Sequence, residues 1–174
     1  LDGVDFTAIA RRADGRLVLG SADGAVYTLA SDTAVGARLK IFARVDSIVT
    51  QGNTAVVLDR GQTSVTSLNA DGTKSEQALR AGQGATTMTA DTAGRVLVAD
   101  TRGGELLVYG VDPLILRQRF PVPDSPYGLA ASGTRTGLVW VAQTAINTVV
   151  GYDLATGIPV EKVRYPTVQQ PNSL

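Results

Sequence analysis

Gly94-Arg95-Val96-Leu97-Val98-Ala99-Asp100 is a short apolar run entered through a glycine turn and left through a carboxylate. The chain carries this phrase four times. Its counterparts are Gly15-Arg16-Leu17-Val18-Leu19-Gly20, Thr54-Ala55-Val56-Val57-Leu58-Asp59 and Gly137-Leu138-Val139-Trp140-Val141-Ala142-Gln143. The central valines, Val18, Val57, Val98 and Val141, lie 39, 41 and 43 residues apart. An apolar strand precedes each phrase, and a third strand and then a more polar fourth follow it. A repeat of roughly 40 to 45 residues built from short strands marks the blades of a β-propeller, in which each unit buries its faces only by stacking on its neighbours. The expected fold is all-β, with four-stranded antiparallel blades, about four of them present, as part of a propeller of about six to eight.

Turn chemistry sets the blade limits at residues 6–43, 46–80, 84–120 and 127–165 of a single domain. In the first repeat, Asp14-Gly15 and Asp23-Gly24 separate strands at Phe6–Ala10, Arg16–Ser21, Ala25–Leu29 and Arg38–Ala43. Asp-Gly pairs between alternating strands predict hairpins, because glycine accepts the positive φ that tight turns need. The second repeat turns at Gly52-Asn53, Gly61-Gln62 and Asp71-Gly72, and the third at Ala93-Gly94, Gly103-Gly104 and Asp112-Pro113. The fourth turns near Gly133 to Gly137, at Ile146-Asn147 and at Ala155-Thr156-Gly157. No stretch holds a 3.6-residue apolar period, so no helix is expected.

Pro171-Asn172-Ser173-Leu174 repeats Pro126-Tyr127-Gly128-Leu129, the opening of the fourth inner strand. A fifth repeat therefore begins at 171–174, and a second fragment or another copy is expected to complete the ring, since bare blade faces and an unpaired strand invite association. The chain opens on Leu1 rather than a methionine, which predicts a segment upstream.

Composition narrows the chemistry. At 44% hydrophobic and 18% charged, the 174 residues suffice for a packed core. Sixteen basic residues balance sixteen acidic ones, which argues against phosphate-driven nucleic-acid binding. There is no cysteine and no histidine, so thiol nucleophiles, Ser-His-Asp catalysis and histidine-ligated zinc are excluded. No apolar run reaches the roughly 20 residues of a membrane helix.

The fourth repeat resembles a known class. Leu138-Val139-Trp140-Val141-Ala142-Gln143, then Ile146-Asn147-Thr148-Val149, Tyr152-Asp153 and Thr156-Gly157, is similar to the YVTN type of bacterial propeller repeat, departing from it at Trp140 (usually Tyr) and Gln143 (usually Asn). Arg95–Leu116 and Tyr127–Leu174 resemble the propeller of exported lipoproteins from mycobacteria and related actinobacteria. The resemblance implies an extracytoplasmic, envelope location, with membrane attachment only through an N-terminal lipidated cysteine that this chain does not contain.

Propeller geometry gives a candidate site its address. Turns between second and third strands share a face with the connections between blades. Asp59, Asp100 and Gln143 end their second strands at equivalent positions, a place held by Gly20 in the first repeat. Arg60, Thr101, Arg102 and Thr144 follow them, and the connections add Asp46, Gln83, Asp124, Tyr127 and Asn172. The candidate ligand-binding set at this axial mouth is Asp59, Arg60, Asp100, Thr101, Arg102, Tyr127, Gln143 and Asn172, with Asp59 and Asp100 as oxygen ligands for a hard cation such as Ca²⁺. Against that stands a structural role in which each aspartate accepts N–H bonds from its own turn, favoured by its recurrence in successive repeats. The paired basic residues of the fourth strands (Arg38 and Lys40, Arg117 and Arg119, Lys162 and Arg164) read as edge protection rather than a lipid-binding rim. Trp140 and Tyr109, set among valines and leucines, read as packing between blades.

Two functions compete, beside the possibility that the chain is an assembly part whose open blade faces bind a second chain. One is a non-catalytic envelope binding or scaffold module without a cofactor, whose partner is an envelope protein or small ligand. The other is a metal-dependent, lactonase-like hydrolase with Ca²⁺ on the axis activating water.

Overall fold

The computed structural model describes residues 2–31, 34–133 and 137–174. Sixteen strands form four antiparallel sheets of four, each in plain sequence order. The first holds β1 (Phe6–Arg11), β2 (Leu17–Ser21), β3 (Ala25–Ser31) and β4 (Ala34–Lys40). The second holds β5 (Ser47–Gln51), β6 (Thr54–Asp59), β7 (Ser64–Leu68) and β8 (Ser75–Arg80). The third holds β9 (Ala85–Ala90), β10 (Arg95–Asp100), β11 (Glu105–Val111) and β12 (Leu114–Pro121), and the fourth β13 (Pro126–Ala131), β14 (Leu138–Gln143), β15 (Thr148–Asp153) and β16 (Val160–Pro166). The strands of each sheet pair antiparallel in sequence order, and the fully described connections between them are hairpins; the β3–β4 connection falls on residues 32–33, outside the described residues. The turn placed near Gly133 to Gly137 falls partly on residues 134–136, outside the described residues.

Two expectations need correction. The fourth strand of the first sheet runs Ala34–Lys40 rather than Arg38–Ala43. Its exposed pattern leaves little apolar periodicity to mark its limits, and Ile41–Ala43 instead lead toward the second sheet. One helical turn also exists, a 3-10 turn at Thr144–Ile146 closed by Asn147 in the left-handed region. It is too short to leave a 3.6-residue pattern in the sequence.

The chain divides into two compact units, residues 1–80 with 111–114, and residues 81–110 with 115–174. The core of the first unit gathers Val18, Val26, Phe42, Val45, Ile48, Ala55, Val57 and Leu68 from the facing sides of the first two sheets, with Ala8, Ala10 and Leu39 at its margin. The second unit does the same with Leu97, Leu106, Val108, Val122, Val139, Val141, Val150, Tyr152 and Leu154. Burying each large aliphatic side chain contributes about 1.5–3 kcal/mol. The repeated valines Val18, Val57, Val98 and Val141 are each 0% exposed. The two middle strands are therefore the most buried of each sheet, and the second reads as an unbroken apolar run for that reason. Faces turned away from these cores are less covered. Ile9 is 65% exposed, and Trp140 lies half-buried, stacked on the exposed Tyr165 with ring centroids 6.2 Å apart. Trp140 is thus not the enclosed core residue its apolar neighbours suggest, whereas Tyr109 is, and burial pushes its phenol up to about 12.

Where the sheets meet, glycine is required by space as well as by φ. Gly24 closes the β2–β3 hairpin at φ +84°, and a Cβ there would lie 1.9 Å from the Phe42 carbonyl oxygen. The same turn carries a titratable brace. Asp23 accepts from Lys40 Nζ at 2.7 Å and from Ser21 Oγ at 2.6 Å, and these two partners hold its carboxyl down to about 2. A folded-state value below the ordinary 3.8 stabilises the fold above that pH and is lost as pH falls from about 4 through 2. Urea midpoints measured across this window should fall for the parent chain and fall less steeply for Asp23→Asn. Both side chains are half-exposed, so the difference is modest.

Candidate functional site

The second strands β6, β10 and β14 end at Asp59, Asp100 and Gln143, which are 0%, 0% and 1% exposed. A buried carboxylate must find donors or cost several kcal/mol, and here the donors are backbone. Asp100 Oδ2 accepts from Gln83 N at 2.8 Å, while Oδ1 accepts from Gly84 N at 2.8 Å and Gly103 N at 2.9 Å. One side chain thus holds the connection entering its own sheet and the hairpin leaving its own strand. Asp59 does the same with Ala43 N at 2.7 Å and Arg44 N at 3.5 Å on Oδ2, and Gln62 N at 3.0 Å on Oδ1. The loops bend close enough to reach these oxygens only because they are small at the contact: a Cβ on Gly82 or Gly103 would lie 1.9 or 2.1 Å from Asp100 Oδ2.

Gln143 shows why an amide replaces a carboxylate in the fourth sheet. The connection there contains Pro123, which has no N–H to give. The side chain therefore donates instead, from Nε2 to the Pro123 carbonyl at 2.9 Å, and Oε1 accepts from Arg164 Nη1 at 2.7 Å. In the first sheet the strand ends one residue beyond the expected Gly20, at Ser21, 1% exposed, whose Oγ accepts from Ala25 N at 3.1 Å; Gly20 beside it leaves room for Val45, since a Cβ there would meet Val45 Cγ1 at 2.2 Å.

The remaining residues of the expected set are distributed as follows. Arg60 belongs, with Asp59, to the first unit; its N donates to Asp46 Oδ2 at 2.8 Å, its side chain is exposed, and Asp46 is itself paired with Arg44 at 2.7 Å. In the second unit, Thr101 Oγ1 bonds Thr86 Oγ1 at 2.6 Å and donates to the Pro126 carbonyl at 2.5 Å. The neighbouring Tyr127 carbonyl accepts from Thr87 Oγ1. Arg102 is exposed and lies against Gly84, and Asn172 is exposed beside a Pro171 whose carbonyl accepts from Thr144 Oγ1 at 2.7 Å. Asp100, Thr101, Arg102, Tyr127, Gln143 and Asn172 thus share one unit and Asp59 and Arg60 the other, with Asp59, Asp100 and Gln143 turned to the backbone. Among the described residues no three Asp or Glu side chains form a group able to hold a metal ion.

The basic residues of the outer strands find local acidic partners. Lys40 pairs with Asp23, Arg119 with Glu105 at 2.6 Å, and Arg164 with Glu161 at 2.8 Å, while Arg38 lies over the Tyr27 ring at 5.6 Å. What sequence reasoning missed lies in the fourth sheet. Asp124, Ser125, Asn147 and Gln170 all adopt positive φ (66°, 57°, 56° and 51°) beside an open recess of about 410 Å³ lined by Ser125, Thr144, Ala145, Asn147, Gln169 and Gln170. The available signal was Asn147, standing where the preceding repeat has Gly104.

Four successive four-stranded antiparallel sheets of about 40 residues define the class of this chain as β-propeller. Solved structures agree on that fold. The chain is similar to streptogramin B lyase (TM-score 0.75, 13% identity, covering 95% of this chain and 56% of that one). It is also similar to BamB from Moraxella catarrhalis (0.72, 14%, 88% and 48%) and to a chain of a mitotic checkpoint complex (0.80, 10%, 95% and 53%). The chain thus spans about half the length of each, as a partial propeller would. No family model and no curated protein matches the sequence.

Proposed function

We propose that the chain is a non-catalytic binding or scaffold propeller of the cell envelope, from an exported lipoprotein of the YVTN-repeat kind. The observation that carries the non-catalytic reading is the use made of the strand-end polar groups. Asp59 and Asp100 spend both carboxylate oxygens on backbone N–H groups, and Gln143 spends its amide on a carbonyl and a guanidinium. A cation bound at either aspartate would have to displace those donors, at about 1–3 kcal/mol for each one left unsatisfied. The envelope assignment is supported by the repeat-four resemblance. No helix among the described residues is long and apolar enough to cross a membrane.

The reading is tested by cross-linking the affinity-tagged chain in envelope extract and, separately, by assaying lactone hydrolysis with and without Ca²⁺. The expected result is reproducible enrichment of one envelope component over a soluble-fraction control, with no turnover above buffer. Ca²⁺-dependent turnover overturns the reading in favour of the hydrolase, and absence of enrichment removes the envelope assignment.

A further inference from the structure

The recess at the end of the fourth sheet is built at a conformational cost. Five described non-glycine residues adopt positive φ, and four of them, Asp124, Ser125, Asn147 and Gln170, converge here; the fifth, Thr63, sits in the second sheet. Left-handed backbone is unfavourable for residues with a Cβ, and it persists where the surroundings fix it, often at binding sites. The third sheet meets the same hairpin requirement with Gly104 at φ +65°. The fourth sheet uses Asn147 instead, so a polar side chain is placed where glycine would hold the turn at less strain.

Those side chains are available to a ligand. Asn147 Oδ1 accepts from Gln170 N at 2.8 Å, which leaves its Nδ2 donor unused, and among the described residues Ser125 Oγ and the amide groups of Gln169 and Gln170 make no hydrogen bond. The floor is fixed by Thr144 N and Ala145 N, which donate to the Ser125 and Asp124 carbonyls, and by Thr144 Oγ1 on Pro171. No lining residue is charged and none is aromatic. Side-chain amides offer a donor and an acceptor side by side, the complement of adjacent ring hydroxyls, and a volume of about 410 Å³ lies in the range of small-ligand pockets, about 300–1,000 Å³.

We infer that this recess binds a neutral saccharide through Ser125, Asn147, Gln169 and Gln170. The inference rests on the reading of the chain as a binding module, but its test is separate, since envelope cross-linking can succeed whether or not a sugar binds. Maltotriose, cellotriose and N,N′-diacetylchitobiose are titrated into the chain, following the side-chain amide ¹H–¹⁵N resonances. At least one should give saturable shifts of Asn147, Gln169 and Gln170 with a Kd of about 1 mM or tighter, insensitive to salt. Asn147→Gly, which keeps the left-handed turn and removes only the amide, should weaken that binding about tenfold or more without lowering the urea midpoint, and Ser125→Gly should act in the same direction. Thr63→Gly should leave binding unchanged. Absence of saturable shifts up to about 10 mM, or binding that survives both glycine variants, overturns the assignment. Tighter binding of glucose 6-phosphate than of the neutral sugars, lost with added salt, overturns it as well, because it requires a charged site.

Discussion

Asp100→Leu should unfold the second unit at far lower urea than the parent chain. Three backbone donors, Gln83 N, Gly84 N and Gly103 N, converge on a carboxylate that is 0% exposed. Hydrogen bonds to a charged acceptor contribute about 1.5–3 kcal/mol each, and a buried donor left without a partner costs about 1–3 kcal/mol. Even allowing for relaxation that lets water reach one of the three, the expected loss is about 4–6 kcal/mol, a large share of a typical domain's stability. Asp100→Asn separates charge from shape. It keeps one acceptor oxygen but turns an NH₂ toward a donor, so it should lose about half as much. Urea denaturation followed by circular dichroism reads both. A Leu variant within about 1 kcal/mol of the parent would show that these hydrogen bonds do not hold the loops.

Gly24→Ala is the second large effect, and it acts through backbone rather than charge. At φ +84° an L side chain already costs about 1–2 kcal/mol. The new methyl would also sit 1.9 Å from the Phe42 carbonyl oxygen, whose residue donates its own N–H to Gly24 O at 3.4 Å. That neighbour is main chain leading toward the second sheet, so it cannot rotate away as a side chain would. A loss of about 3 kcal/mol or more is expected, with Phe42 and Val45 displaced from the first unit's core. Gly52→Ala provides the comparison, since it shares a positive φ of 58° and has open space around its Cβ position. It should lose only the conformational part. Equal destabilisation of the two variants would rule out the clash as the cause.

The four-sheet architecture was legible because its signals are local and repeated. The buried second strands are continuous apolar runs, and Asp-Gly pairs fix turns whatever the sheets later pack against. The outer strands were read less well. Ala34–Lys40 is exposed along most of its length, so neither period nor burial marked its start. The strand-end positions Asp59, Asp100 and Gln143 were found by counting from the central valines. Their partners were not, because Ala43, Arg44, Gln83 and Gly84 take part through backbone N–H groups, which any residue but proline supplies. The recess was missed for a related reason: Ser125, Asn147 and Gln170 matter through a φ angle, and only the exchange of Gly104 for Asn147 between repeats leaves a trace of it in the sequence.

Threonine hydroxyls recur at the joints between sheets. Thr7 reaches the Val45 carbonyl, Thr101 that of Pro126, Thr87 that of Tyr127, and Thr144 that of Pro171. In each case an earlier element offers a donor to the stretch of chain that follows its own sheet. A ribosome releasing this polypeptide from the N-terminus would present each of these hydroxyls before its acceptor emerged, so the first sheet can hold the approach to the second, and the third the start of the fourth, as each is made. Within each of these pairs, order of synthesis and order of assembly then coincide.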